Sequence, residues 1–130
     1  MNNSEDIAQL AVVNYLRLKY PKIRFIANYL SGARLPIYLA KKAKKLGQAS
    51  QGTPDLLIFH NNSKYHLLAI ELKAEGSSPY KLNGMLKSNE HLEKQSLYLS
   101  YLNSQGYYAT FATGSQEAID IIEKYVNNEF

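Results

Sequence analysis

Cysteine is absent from the 130 residues. That excludes disulfides and any Cys-based zinc site, and it leaves the redox compartment open. Apolar runs long enough to span a bilayer are also missing, so no membrane partner is expected. The start, Met1-Asn2-Asn3-Ser4-Glu5-Asp6, has neither the basic nor the apolar region of a signal peptide, and an intracellular location is the expectation. No Walker loop, dinucleotide-binding fingerprint or Ser/His/Asp order occurs. His60, His66 and His91 lack metal-ligand spacing, and the first two flank a turn where they should face solvent. There is no internal repeat and no low-complexity linker.

What is present describes a globular chain. Hydrophobic content of 45% and charged content of 20% suffice for one core, so residues 1–130 read as a single domain. The net charge of +4, with a pI near 9.2, permits a nucleic-acid partner without demanding one. The eleven tyrosines suit cores and protein interfaces and do not by themselves mark base-stacking platforms.

The informative stretch is Gly52-Thr53-Pro54-Asp55-Leu56-Leu57-Ile58-Phe59, answered by Leu68-Ala69-Ile70-Glu71-Leu72-Lys73. A Gly/Pro turn delivers an acid to a short apolar run. That run ends at His60-Asn61-Asn62-Ser63, and it reads as a buried strand entering a hairpin. On the returning strand Ala69, Glu71 and Lys73 share one face, and Leu68, Ile70 and Leu72 the other. Asp55 sits on the neighbouring strand. Two carboxylates this close repel unless a cation lies between them, and oxygen ligands suit Mg²⁺ or Mn²⁺. Such an ion can acidify water and neutralise charge on a phosphodiester, with Lys73 holding the attacking water or the phosphate. The plainer alternative is a surface Glu–Lys pair and a turn-capping Asp. The coincidence of turn, buried strand and E-L-K favours the site.

At these residues the chain resembles a known family. G-T-P-D-L followed by I-E-L-K looks like the PD-(D/E)XK nuclease signature, and its Gly-x-Pro-Asp-Leu turn with a downstream Gln helix is similar to the VRR-NUC family. That family's domain also ends the Fanconi-associated structure-specific nuclease. The resemblance spans nearly the whole chain and is to the single-domain phage and viral members. It implies an α/β, restriction-endonuclease-like core with a mixed β-sheet flanked by helices. It further implies Mg²⁺-dependent cleavage of branched DNA, such as Holliday junctions, by a homodimer. Asp55, Glu71, the Leu72 main-chain carbonyl and Glu5 would hold the metal, and Lys73 and Gln95 would position the water. A flap or nicking nuclease is an alternative substrate reading. A catalytically silent DNA-binding or assembly module is an alternative function.

The rest of the chain falls into order around that hairpin. A helix is expected over Glu5–Lys19, with Ser4 as N-cap and an apolar pattern through Ile7, Leu10, Ala11, Val13 and Leu16 to Leu18. Glu5 and Gln9 share a helix face. Glu5 is either a dipole-compensating acid or, by the resemblance, a metal ligand. A strand is expected over Lys22–Ala27, then Asn28 near the site and a loop over Tyr29–Arg34. Pro36 opens a helix over Ile37–Leu46, closed by Gly47. Its Lys41, Lys42, Lys44 and Lys45 form either a solvated face or a phosphate-binding one. Gln48–Gln51 leads into the central turn.

After Lys73 the chain departs from the family spacing. Glu75–Ser88 is a turn-rich insertion with exposed-looking Tyr80, Leu82, Met85 and Leu86. It reads equally as a DNA-engaging loop, a dimerisation arm or an inert insertion. A helix from Asn89 to Ser104 places Leu92, Gln95, Leu99 and Leu102 on one side, with Gly106 closing it. Gln95 has the plainer alternative of a buried amide bonded to backbone. A strand over Tyr107–Ala112 and a helix from Ser115, with Ile119, Ile122, Tyr125 and Val126 inward, complete the chain.

Overall fold

The computed structural model describes residues 4–28, 36–47 and 52–130. The expected loop over Tyr29–Arg34 and the approach Gln48–Gln51 lie outside the described residues. The elements are α1 (Ser4–Lys19), β1 (Arg24–Ala27), α2 (Ile37–Lys45), β2 (Leu56–Phe59), β3 (Leu68–Lys73), α3 (Glu90–Ser104), β4 (Tyr108–Thr113) and α4 (Gly114–Val126). Helix, strand, helix, hairpin, helix, strand, helix is the expected order. The differences are small: β1 starts two residues after Lys22, and Ser4, the first described residue, is already helical.

Four strands form one sheet in the order β1-β2-β3-β4. β1 with β2 and β2 with β3 are antiparallel, whereas β3 and β4 are parallel. A parallel neighbour needs a crossover, and α3 supplies it. The sheet is therefore mixed, as expected. All six residues of β3 are buried, because β3 is a central strand with helices over both faces.

The two faces of β3 enter two cores, as the alternation predicts. Leu68, Ile70 and Leu72 join Ala8, Val12, Val13 and Leu16 of α1 and Ala118, Ile122 and Tyr125 of α4. Ala69 joins Leu99 of α3 and Ala109 and Phe111 of β4. Each fully buried Leu or Ile here contributes about 1.5–3 kcal/mol. Tyr125 also donates its hydroxyl to the His60 carbonyl at 2.7 Å and to that of Tyr65 at 3.1 Å, which pins the β2–β3 turn onto α4. That contact leaves His60 half-buried, while His66 is exposed as expected.

The apolar face of α1 differs from the expected one. Ile7, Leu10 and Leu18 are exposed, and the inward row is Ala8, Val12 and Leu16 at i, i+4 spacing. The small Ala8 and β-branched Val12 allow close approach to α4 and β3. α1 is apolar on more than one side, so periodicity alone does not select the docking face. Tyr15 and Lys19 both reach Glu123 of α4 and hold the two helices in register.

Candidate active site

Strand register builds the site. In the β2–β3 hairpin Leu56 pairs with Ile70, so the next position sets Asp55 opposite Glu71 on one face of the sheet. In the β1–β2 pair Ala27 meets Leu56, and the Asn28 N–H then donates to the Asp55 carbonyl at 2.6 Å. Pro54 is fully buried and Thr53 nearly so, which makes the turn part of the core rather than a surface loop. Gly52 has φ +95, a conformation that glycine adopts freely. A Cβ there would lie 3.2 Å from both the carbonyl carbon and the oxygen of Lys94. The turn bearing Asp55 thus lies directly against the α3 backbone that bears Gln95.

The side chains lock together. Asp55 Oδ2 accepts the Leu72 N–H at 2.7 Å. Lys73 Nζ donates to Gln95 Oε1 at 2.6 Å, and Gln95 Nε2 donates to Glu71 Oε1 at 2.6 Å. Glu71, Lys73 and Gln95 are all buried. Gln95 is therefore neither surface nor a backbone-bonded amide; it bridges the lysine and the glutamate. The Lys73 ammonium also lies 5.8 Å from the centre of the Phe111 ring.

One residue here was not legible as functional. His91 Nε2 lies 3.0 Å from Gln95 Nε2. Lysine has only donors, so Gln95 must present its oxygen to Lys73 and its amide hydrogens to Glu71 and His91. His91 Nε2 is then placed to accept the second amide hydrogen. The signal in the sequence is the i, i+4 spacing of His91, Gln95 and Leu99, one row of α3 facing β3.

Electrostatics show a carboxyl pair whose burial outweighs the neighbouring Lys73 charge. Burial raises the Asp55 carboxyl to about 6, against the Leu72 N–H, which lowers it. Burial and then the Asp55 charge push Glu71 up to about 9, against the pull of Lys73. The two carboxyls lie within hydrogen-bonding reach, and in the metal-free protein the raised Glu71 carboxyl keeps its proton at neutral pH. Glu71 Oε2 is buried with no hydrogen-bond donor among the described residues. An orphaned carboxyl oxygen beside a second carboxyl is the donor chemistry that suits a hard cation.

Glu5 faces the pair from the first turn of α1, and its charge raises both carboxyl pKa values. It is exposed and stands back from them. Among the described residues no three His, Cys, Asp or Glu gather closely enough to hold a metal ion. Lys41, Lys42, Lys44 and Lys45 lie on α2, none of whose residues is buried. They form an exposed basic surface.

A mixed sheet that brings Asp55, Glu71 and Lys73 to one end of its central hairpin, under a helix bearing Gln95, defines a nuclease-like α/β core. The model of the VRR-NUC domain family matches residues 2–116, and the chain belongs to that family. A solved structure described as a VRR_NUC domain protein is 25% identical, with a TM-score of 0.67, covering 98% of this chain and 91% of that one. No curated protein matches the chain. No helix among the described residues is long and apolar enough to cross a membrane.

Proposed function

We propose that the chain is a Mg²⁺- or Mn²⁺-dependent endodeoxyribonuclease that hydrolyses phosphodiesters in branched DNA, such as Holliday junctions, as a homodimer. The observation that carries the chemistry is the orphaned Glu71 oxygen beside Asp55, with Lys73 held in place next to it. Junction DNA and the dimer rest on the family. Two sites related by symmetry suit the paired incisions that a four-way junction needs.

Asp55, Glu71 and the Leu72 main-chain carbonyl would hold the ion, with Glu5 approaching from α1. When bound, such an ion neutralises the carboxylate pair, polarises the phosphate and acidifies water. The chain's own residues supply orientation. The Leu72 N–H fixes Asp55, and Gln95 fixes Glu71 and Lys73 relative to each other. The Lys73 ammonium has three hydrogens, and one goes to Gln95. The other two serve the attacking water and a non-bridging phosphate oxygen, where negative charge develops.

The test is cleavage of end-labelled four-way junction, 5′-flap and plain duplex DNA, with Mg²⁺ or Mn²⁺ against EDTA, beside Lys73→Ala. Metal-dependent paired cuts in the junction are expected, reduced about 10²–10³-fold in the variant. Flap cutting alone would keep the chemistry and replace the substrate. Binding without cleavage of any DNA would overturn the enzyme reading in favour of a silent module.

A further inference from the structure

The insertion after Lys73 is an ordered arm. Tyr80 and Leu86 form an antiparallel bridge. The Lys81 N–H donates to the Met85 carbonyl at 2.7 Å, and the Lys87 N–H to that of Pro79 at 2.9 Å. Asn83 Oδ1 accepts the Met85 N–H at 3.0 Å, and Gly84 takes φ +85 to close the tip. An isolated hairpin this short would not hold in water. Its base is anchored instead: Pro79 is fully buried, and Leu86 packs on the Ala69, Leu99, Ala109 and Phe111 core. The Tyr80 ring meets Phe111 edge-on at 6.0 Å.

Phe111 is also the ring beneath the Lys73 ammonium. One aromatic ring therefore joins the base of the arm to the lysine of the site. The tip points its apolar groups outward, with Leu82 fully exposed and Met85 64% exposed. Lys81 and Lys87 flank them, and no acidic residue occurs from Gly76 to Asn89. A wholly basic arm with an apolar tip suits a polyanion that offers exposed bases. Lysine takes phosphates without regard to sequence, and Leu or Met side chains wedge against bases where stacking is broken.

We infer that the Pro79–Lys87 hairpin is a DNA-contact arm beside the carboxylate site, with Lys81 and Lys87 on phosphates and Leu82 and Met85 against bases exposed at an interruption of the duplex. This rests on the nuclease reading for its substrate and adds the element that recognises the interruption.

The experiment measures binding in EDTA, so that its outcome is separate from cleavage. Probes are four-way junction and plain duplex DNA of equal length, with 2-aminopurine at the branch point. Because Leu82 and Met85 are exposed, the Leu82→Ala, Met85→Ala double variant should melt at the wild-type temperature. Its junction affinity is expected to fall about tenfold, with little change on plain duplex and loss of the 2-aminopurine response. The Lys81→Gln, Lys87→Gln double variant should flatten the slope of log K against log salt by about 2. Wild-type affinity and fluorescence in the first variant would overturn the inference. So would conversion of a dimer to a monomer in gel filtration with DNA binding intact, which would assign the tip to a second copy. Absence of metal-dependent cleavage by the wild type would instead overturn the nuclease reading, with these binding results unaffected.

Discussion

Gln95 Nε2 stands 2.6 Å from Glu71 Oε1, and through this contact α3 governs the glutamate that β3 contributes to the carboxylate pair. The same amide accepts from Lys73 and donates toward His91. Gln95→Ala is expected to lower the rate constant of metal-dependent cleavage about 10–100-fold, as removal of an outer-shell orienting group does. His91→Gln, which can offer an amide oxygen in place of Nε2, should retain far more activity than His91→Ala. Single-turnover cleavage rates of the three variants check both statements. Equal losses in the two His91 variants would mean that its acceptor role is unimportant.

Glu71 sets a pH dependence of stability in the metal-free protein. Its folded pKa is raised to about 9 from an ordinary value of 4.5. Between these values the folded state binds more protons than the unfolded one, so stability falls as pH rises through the window. Below it the penalty vanishes. Melting curves in EDTA should therefore decline from pH 5 to pH 9 more steeply for the wild type than for Glu71→Gln. The variant should melt higher at pH 8 while losing cleavage, and it should lose the stabilisation by Mg²⁺ or Mn²⁺ expected of the wild type. A variant that melts lower at every pH would contradict this assignment.

Gly52 and Gly47 make a matched pair. Both have positive φ, but a Cβ at Gly47 meets nothing within 4 Å, whereas one at Gly52 meets the Lys94 carbonyl. Alanine at either position costs about 1–2 kcal/mol for the left-handed backbone. Gly52→Ala should in addition push the Asp55 turn away from α3, lowering both the melting temperature and cleavage. Gly47→Ala should lower stability alone. Thermal melts and cleavage rates of the two variants separate conformational strain from the close approach.

The lysines of α2 should contribute salt-sensitive DNA affinity. No residue of that helix is buried, so Lys41→Gln, Lys44→Gln, Lys45→Gln should fold as stably as the wild type, within about 0.5 kcal/mol. The slope of log K against log salt should flatten by about 2–3. An unchanged slope would reduce this surface to a solvated face.

Much of the site was legible because local rules and tertiary needs agree there. The alternation in β3 separates Leu68, Ile70 and Leu72 from Ala69, Glu71 and Lys73, and the two cores follow it residue by residue. The Gly-x-Pro-Asp turn places Asp55 at the start of β2, and hairpin pairing then brings it to Glu71. α1 was less legible, because Ile7, Leu10 and Leu18 carry the apolar pattern and lie outside. Hydrophobicity says that a face exists, while shape complementarity to α4 and β3 selects Ala8, Val12 and Leu16.

By itself, then, the sequence determined the order of elements, the mixed sheet and the meeting of Asp55, Glu71 and Lys73. Each of these follows from short-range chemistry: a turn, a period of two, a parallel crossover. Only the tertiary structure decided that Gln95 bridges Lys73 to Glu71, that His91 joins them, and that the Glu75–Ser88 insertion folds into an arm on Phe111. Those contacts join α3, β3, β4 and the insertion, and their distances depend on how a helix settles on a sheet. Even the need for glycine at position 52 is of this kind, since it is the Lys94 carbonyl, forty-two positions away, that leaves no room for a side chain.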